Sequence, residues 1–164
     1  MQHTGQIICT ADPTTNKYST LCTLMSTFDL LKVLDRGNNT LFAPTNAAFA
    51  ASTDFLNGLS DEDKKQVLLF HVAPTVLTYD SLRCDGLTAT LQAQDSKTLC
   101  RSFRKFQVGG GNDDSNYPLV DPDRIETGSG NIFVVDNVLL PRLTISKYSE
   151  RQLFSLACFV FLFV

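Results

Sequence analysis

The chain has 164 residues, 43% apolar and 19% charged, with a net charge of −3 and a pI near 5.2. That length suits one domain with its own hydrophobic core, and the composition is globular rather than disordered. The acidic balance and the scattered lysines and arginines argue against a stripe that would track a phosphate backbone, so no nucleic-acid partner is expected.

The opening MQHTGQIICTAD shows no basic, long apolar and small-residue succession of a secretory leader, and His3 sits near an end expected to fray. Ser19 to Leu34 places Leu21, Leu24, Met25, Phe28, Leu31 and Leu34 at three- and four-residue spacings. This stripe predicts one amphipathic helix, stopped by Gly37. Asn38-Asn39-Thr40 is a glycosylation sequon, usable at Asn38 if the chain is secreted.

TLFAPTNAAFA, residues 40 to 50, interrupts an apolar run with Pro-Thr-Asn. Pro44 lacks an amide proton and pushes Ala43 toward extended backbone, so Thr40 to Ala43 reads as a short buried strand. Thr45 and Asn46 are both helix-capping types, and Ala47 to Ala51 then form a helix. Ser60 caps a further helix over Asp61 to Phe70, with three acidic residues at its positive end, and Pro74 prevents continuation.

Beyond residue 75 the period changes to two. Leu87, Ala89, Leu91 and Ala93 alternate with Thr88, Thr90, Gln92 and Gln94, predicting a half-buried strand with the apolar set inward. Thr98 to Val108 supplies the return strand or strands. VGGGNDDSNYP reads as a polar, mobile hairpin loop, followed by strands at about Arg124 to Thr127 and Asn131 to Leu139, the last apolar enough to be interior. Helices first and strands later describe an α+β domain.

The cysteines fall at 9, 22, 84, 100 and 158 without a Cys-x-x-Cys pair, which argues against a zinc ribbon or a thioredoxin-like site. Two close-range pairings suit them, Cys9 with Cys22 and Cys84 with Cys100. Each closes a loop of about 15 residues, worth ~3 kcal/mol in the chain-entropy model, and implies an oxidising compartment. Buried reduced thiols are the alternative.

The chain offers little chemistry. His71, beside Phe70 and Val72, reads as a core residue, and TGSGN at 127 to 131 has the wrong order for a nucleophile elbow. VGGGNDD lacks the Lys-Ser/Thr of a phosphate loop and occurs once; Asp113, Asp114, Asp121 and Asp123 would at most hold calcium weakly. No catalytic residue, metal or cofactor is expected. Leu153 to Val164, LFSLACFVFLFV, is too short to span a bilayer on its own. It reads as a lipid-anchor signal behind Ser146 and Ser149, as a truncated membrane span, or as a segment packed on the domain.

Three segments in order resemble the fasciclin I type domain: TLFAPTNAAFA at 40 to 50, LLFHVAP at 68 to 74 and NIFVVDNVLLP at 131 to 141. With their flanks the likeness covers residues 6 to 141 and leaves 142 to 164 as a tail. The residues that carry it are Thr40, Phe42, Ala43, Pro44, Thr45, Asn46, Phe49, His71, Val135, Asp136, Leu139 and Pro141.

The resemblance implies a compact β-sandwich or wedge with several helices packed against it, found in secreted, matrix or lipid-anchored surface proteins. It also implies a non-enzymatic adhesion role toward extracellular or membrane proteins or glycans, with a partner contact at Phe70 and His71. Phe70 stands where Tyr is common, Phe133 where His is common, and Asn131 follows Ser129-Gly130 in place of the usual Asn-Gly turn. A module binding a small apolar or carbohydrate ligand between sheet and helices is the alternative.

Overall fold

The computed structural model describes residues 1–10 and 16–143. Six helices precede nearly all of the sheet: α1 (Thr4–Cys9), α2 (Ser19–Thr27), α3 (Leu31–Asp35), then strand β1 (Asn39–Pro44), α4 (Asn46–Ala51), α5 (Thr53–Asn57) and α6 (Asp61–Phe70). The remaining strands are β2 (Val72–Ala73), β3 (Leu87–Thr88), β4 (Ser96–Arg101), β5 (Arg104–Val108), β6 (Val120–Thr127) and β7 (Gly130–Val135). One sheet has the order β2-β1-β7-β6, with β1 parallel to β7 and its other pairs antiparallel. The other is the antiparallel β3-β4-β5, joined to the first through a bridge between Phe106 and Leu119.

The central strands explain why two apolar runs dominate the sequence. All six residues of β1 are buried, and successive side chains point to opposite faces. Leu41 and Ala43 enter the helix-side core with Ile8, Leu21, Met25, Leu34 and Ile132. Phe42 enters a second cluster with Phe70, Leu82, Val135, Leu139 and Phe133, whose ring stacks on it at 5.9 Å. A strand covered on both faces has no polar face to alternate with, hence the continuous apolar run. Gly130 lies opposite Asn39 at φ 143°, and a Cβ there would overlap the Asn39 carbonyl, so the parallel register requires glycine.

The predicted helix over 19–34 is two helices. Asp29 adopts φ 54°, the Leu30 N–H donates to the Met25 carbonyl and the Asp29 N–H to the Ser26 carbonyl. These are the two bonds of a Schellman ending, with Asp in the left-handed position that glycine usually fills. The break turns α3 back onto α1, where Asp35 accepts the Gly5 N–H at 2.9 Å.

The predicted strand over 87–94 shrinks to Leu87–Thr88 with its faces inverted: Leu87 and Leu91 are exposed and Thr90 is buried. The Leu91 N–H turns away to the Val72 carbonyl, and Thr90 Oγ1 donates to the Gln94 carbonyl, closing a local turn with Ala93 at φ 73°. The last strand likewise ends at Val135 rather than Leu139.

The N-terminus is docked rather than frayed. Thr4 is buried, its N–H donates to Ser129 Oγ, and its hydroxyl lies 2.9 Å from the hydroxyls of Thr127 and Ser129. Cys9–Cys22 ties α1 to α2, and Cys84–Cys100 ties the segment before β3 to β4, the two pairings that the spacing suggested.

Candidate functional site

The Pro-Thr-Asn corner is built as a joint. Pro44 ends β1, Thr45 Oγ1 accepts the Ala48 N–H at 3.2 Å, and so Thr45 rather than Asn46 is the cap of α4. Asn46 does different work: its Oδ1 accepts the Thr20 N–H at 3.0 Å and its Nδ2 donates to the Asn16 carbonyl at 2.8 Å, fastening α4 to α2. Thr40 is buried, donating to the Thr75 carbonyl and accepting from the Leu77 N–H. Phe42, Ala43 and Phe49 are core.

His71 caps the C-terminus of α6 with no exposed surface. Its Nδ1 lies 2.7 Å from the Val67 carbonyl and its Nε2 3.0 Å from the Leu139 amide. A carbonyl can only accept and an amide only donate, so Nδ1 carries the proton and Nε2 is the acceptor. Burial pushes the imidazole down to about 4, outweighing the carbonyl contact that favours the charged ring. Such a ring is neutral and fully occupied. Phe70 is equally buried, so neither side chain presents a surface to a partner.

Val135, Leu139 and Pro141 are buried around this contact, while Asp136 is exposed and accepts the Leu119 N–H at 2.8 Å. The glycine-rich loop expected to be mobile is clamped to the same segment. Asn112 Oδ1 accepts both the Gly109 and the Leu140 N–H at 2.9 Å, and its Nδ2 donates to the Val138 carbonyl at 3.0 Å. A Cβ at Gly109 would overlap the Leu140 carbonyl and the Phe70 ring. Close backbone approach therefore explains this glycine.

The loop's carboxylates are engaged locally, Asp113 with Ser115 and Asp114 with Arg101, while Asp121 accepts the Asp123 N–H. No group of three or more metal-ligating side chains occurs among the described residues. Nor is any helix among them long and apolar enough to cross a membrane; Leu153–Val164 and Cys158 lie outside the described residues. Asn38 is exposed at φ 55° immediately before β1.

Two surface features remain. An open groove of about 420 Å³ runs between α2, α4, α5 and α6, walled by Leu24, Phe49, Ala50, Leu56, Val67 and Leu68. It lies among helices, not between sheet and helices. The β4–β5 hairpin ends in Ser102 and a fully exposed Phe103, beside a hollow of about 380 Å³.

A model of the fasciclin domain matches residues 16–141, from the start of the Asn16–Asn46 tie through the Leu139–Pro141 clamp. The chain belongs to the fasciclin domain family. Protein sll1483 of Synechocystis is 31% identical over 130 residues, 76% of this chain and 67% of that one. Fasciclin-like arabinogalactan protein 11 of Arabidopsis thaliana is 28% identical over 115 residues, 70% of this chain and 39% of that one. A solved FAS1 domain pair from the insect cell adhesion molecule Fasciclin I shares the fold at a TM-score of 0.61 and 16% identity, covering 87% of this chain and 53% of that one. The chain thus spans about half the length of the insect pair and less of the plant protein.

In this fasciclin domain the segments that carry the family likeness meet in space: β1 pairs with β7 along its whole length, and His71 bonds Leu139. Sequence reasoning missed Asn112, Ser129 and Phe103. Asn112 had one usable signal, an amide side chain directly after three glycines; Ser129 had none, because its partner Thr4 lies 125 residues away, and Phe103 had none, because the β4–β5 register alone places it on a hairpin tip.

Proposed function

We propose that this fasciclin domain is a non-enzymatic adhesion or matrix-organising module that works outside the cell or at its surface, engaging extracellular or membrane proteins or glycans. The observation that carries the reading is His71, the histidine inside the family motif, whose two nitrogens are both committed to backbone partners. A general base must reach a substrate proton, and this ring cannot without unfolding the α6 terminus. The two disulfides support an oxidising compartment, and the plant and insect relatives are named for arabinogalactan proteins and cell adhesion.

In this reading residues 6–141 are the binding module and 142–164 a tail whose apolar end, Leu153 to Val164, tethers it to a membrane. Asn38, exposed in a sequon, is the glycosylated position. The Thr40 hydroxyl of that sequon is buried and bonded, so the sugar is added before β1 closes.

The reading is tested by expressing the chain behind a secretory leader and coating beads with the purified product. Bead clustering or retention on matrix proteins, with a glycosidase-sensitive mass shift lost in Asn38→Gln, is the expected result. Beads that neither cluster nor bind matrix proteins or surface glycans would overturn it.

A further inference from the structure

The groove between α2, α4, α5 and α6 is the outer side of the helix-side core. Phe49, Val67 and Leu68 form its buried floor and belong to that core cluster. Its rim is the half-buried Leu24 and Leu56 with the exposed Ala50, Thr53 and Asn57. Lys64 is the one charged side chain among the described residues that line it, and it already stands 3.7 Å from Asp61. A charged occupant would lose water here without gaining a partner, whereas an uncharged apolar one loses nothing.

The chain itself carries such an occupant. The described residues end at Leu143, which packs against the same cluster as the groove walls, and residues 144 to 164 follow it. Leu153 to Val164 has no charge and a single polar residue, Ser155; Lys147, Glu150 and Arg151 all precede it. The stretch 144–152 reaches about 30 Å when extended, on the order of a small domain's diameter, so the apolar run can arrive at the groove. A volume of about 420 Å³ admits a few large side chains, hence one face of the run rather than all of it.

We propose that in water Leu153–Val164 lays one apolar face into the α2–α4–α5–α6 groove of its own chain. Docking covers two apolar surfaces at once and leaves the charged connecting segment in solvent. The tether favours the chain's own groove over a second copy's, because it sets an effective concentration on the order of millimolar. A bilayer offers the run more apolar contact than the groove does, so the groove holds it until a membrane is present. The docking goes beyond the adhesion reading, and only the release rests on the tether in that reading.

Disulfide trapping on the full chain tests it, with Cys158 inside the run as the native thiol. Ala50→Cys and Asn57→Cys each place a second thiol on the exposed rim, at positions outside the core. Arg104→Cys, exposed on β5 and absent from the groove lining, is the control. Each folded variant is oxidised in dilute solution after peptide mapping confirms that Cys9–Cys22 and Cys84–Cys100 are intact.

Cys158 should bond within the chain to at least one rim position at least about tenfold faster than to position 104. Equal rates at all three positions, no bond at either rim position, or bonds formed only between chains would overturn the proposal. Repeating the trap with phosphatidylcholine vesicles separates docking from tethering. Suppression of the rim bond supports release to a bilayer, whereas a rim bond undiminished by vesicles keeps the docking and overturns the tether.

Discussion

His71 Nε2 accepts the Leu139 amide proton at 3.0 Å across 68 residues of sequence, while Nδ1 donates to Val67 within its own helix. One ring thereby locks the end of α6 to the closing segment, and its own carbonyl accepts the Phe42 N–H of β1. Both side-chain bonds need the neutral ring with one tautomer.

The neutral ring makes stability pH-dependent. The folded-state value of about 4 lies below the unfolded 6.5, so the unfolded chain binds the extra proton between them. His71's contribution is fully present above pH 6.5 and is lost as pH falls toward 4. A shift of that size corresponds to about 3 kcal/mol. Urea titrations at pH 7 and pH 5 should differ by about 2 kcal/mol, the part of that shift already lost at pH 5, and His71→Gln should flatten the dependence between pH 5 and 6.5. An unchanged slope in the variant would assign it to other groups.

Removing the ring is costly even at neutral pH. His71→Ala opens a cavity and strands a buried carbonyl and a buried amide, which predicts a loss of about 3 kcal/mol or more. Chemical denaturation checks this, and a loss below ~1 kcal/mol would contradict the described bonding.

Thr45 and Asn46 separate capping from tertiary fastening. Thr45→Ala removes only the cap of α4 and should cost about 1 kcal/mol. Asn46→Ala releases two bonds to the Asn16–Thr20 region, partly buried, and should cost more, about 2 kcal/mol. Equal losses would mean that the corner is stabilised locally.

Asn112→Ala should unclamp the glycine loop. The Gly109 and Leu140 amides lose their shared acceptor, so their hydrogen exchange should accelerate at least about tenfold while the β1 and β7 amides stay protected. Uniform acceleration would indicate global rather than local opening.

The disulfides give a chemical readout. Iodoacetamide applied to the unfolded, unreduced chain should modify at most one of its five cysteines, since four are paired. Cys84→Ser with Cys100→Ser should lower stability by up to ~3 kcal/mol. Three or more modified thiols would refute the pairing.

By itself the sequence determined the local chemistry. The Pro44 strand end, the capped helix behind it, the Ser60-capped helix Asp61–Phe70 and an interior last strand follow from capping and periodicity, and chain distance suggested the two cysteine pairings that the fold contains. These signals span a few residues or one short loop, within which backbone preference and hydrophobic period act directly.

What only the tertiary structure decided depends on partners distant in the chain. Asp29 breaks an otherwise regular helical stripe because α3 must return to α1, and Leu91 leaves its predicted strand because Val72 offers a carbonyl. Asn112 turns a polar loop into a clamp, and Thr4 docks an end that reads as free. Phe103 reads as one more apolar residue of a strand; only the register of β4 with β5 places it on the tip. A side chain's propensity belongs to its own few neighbours, whereas burial and exposure belong to whatever the rest of the fold brings against it.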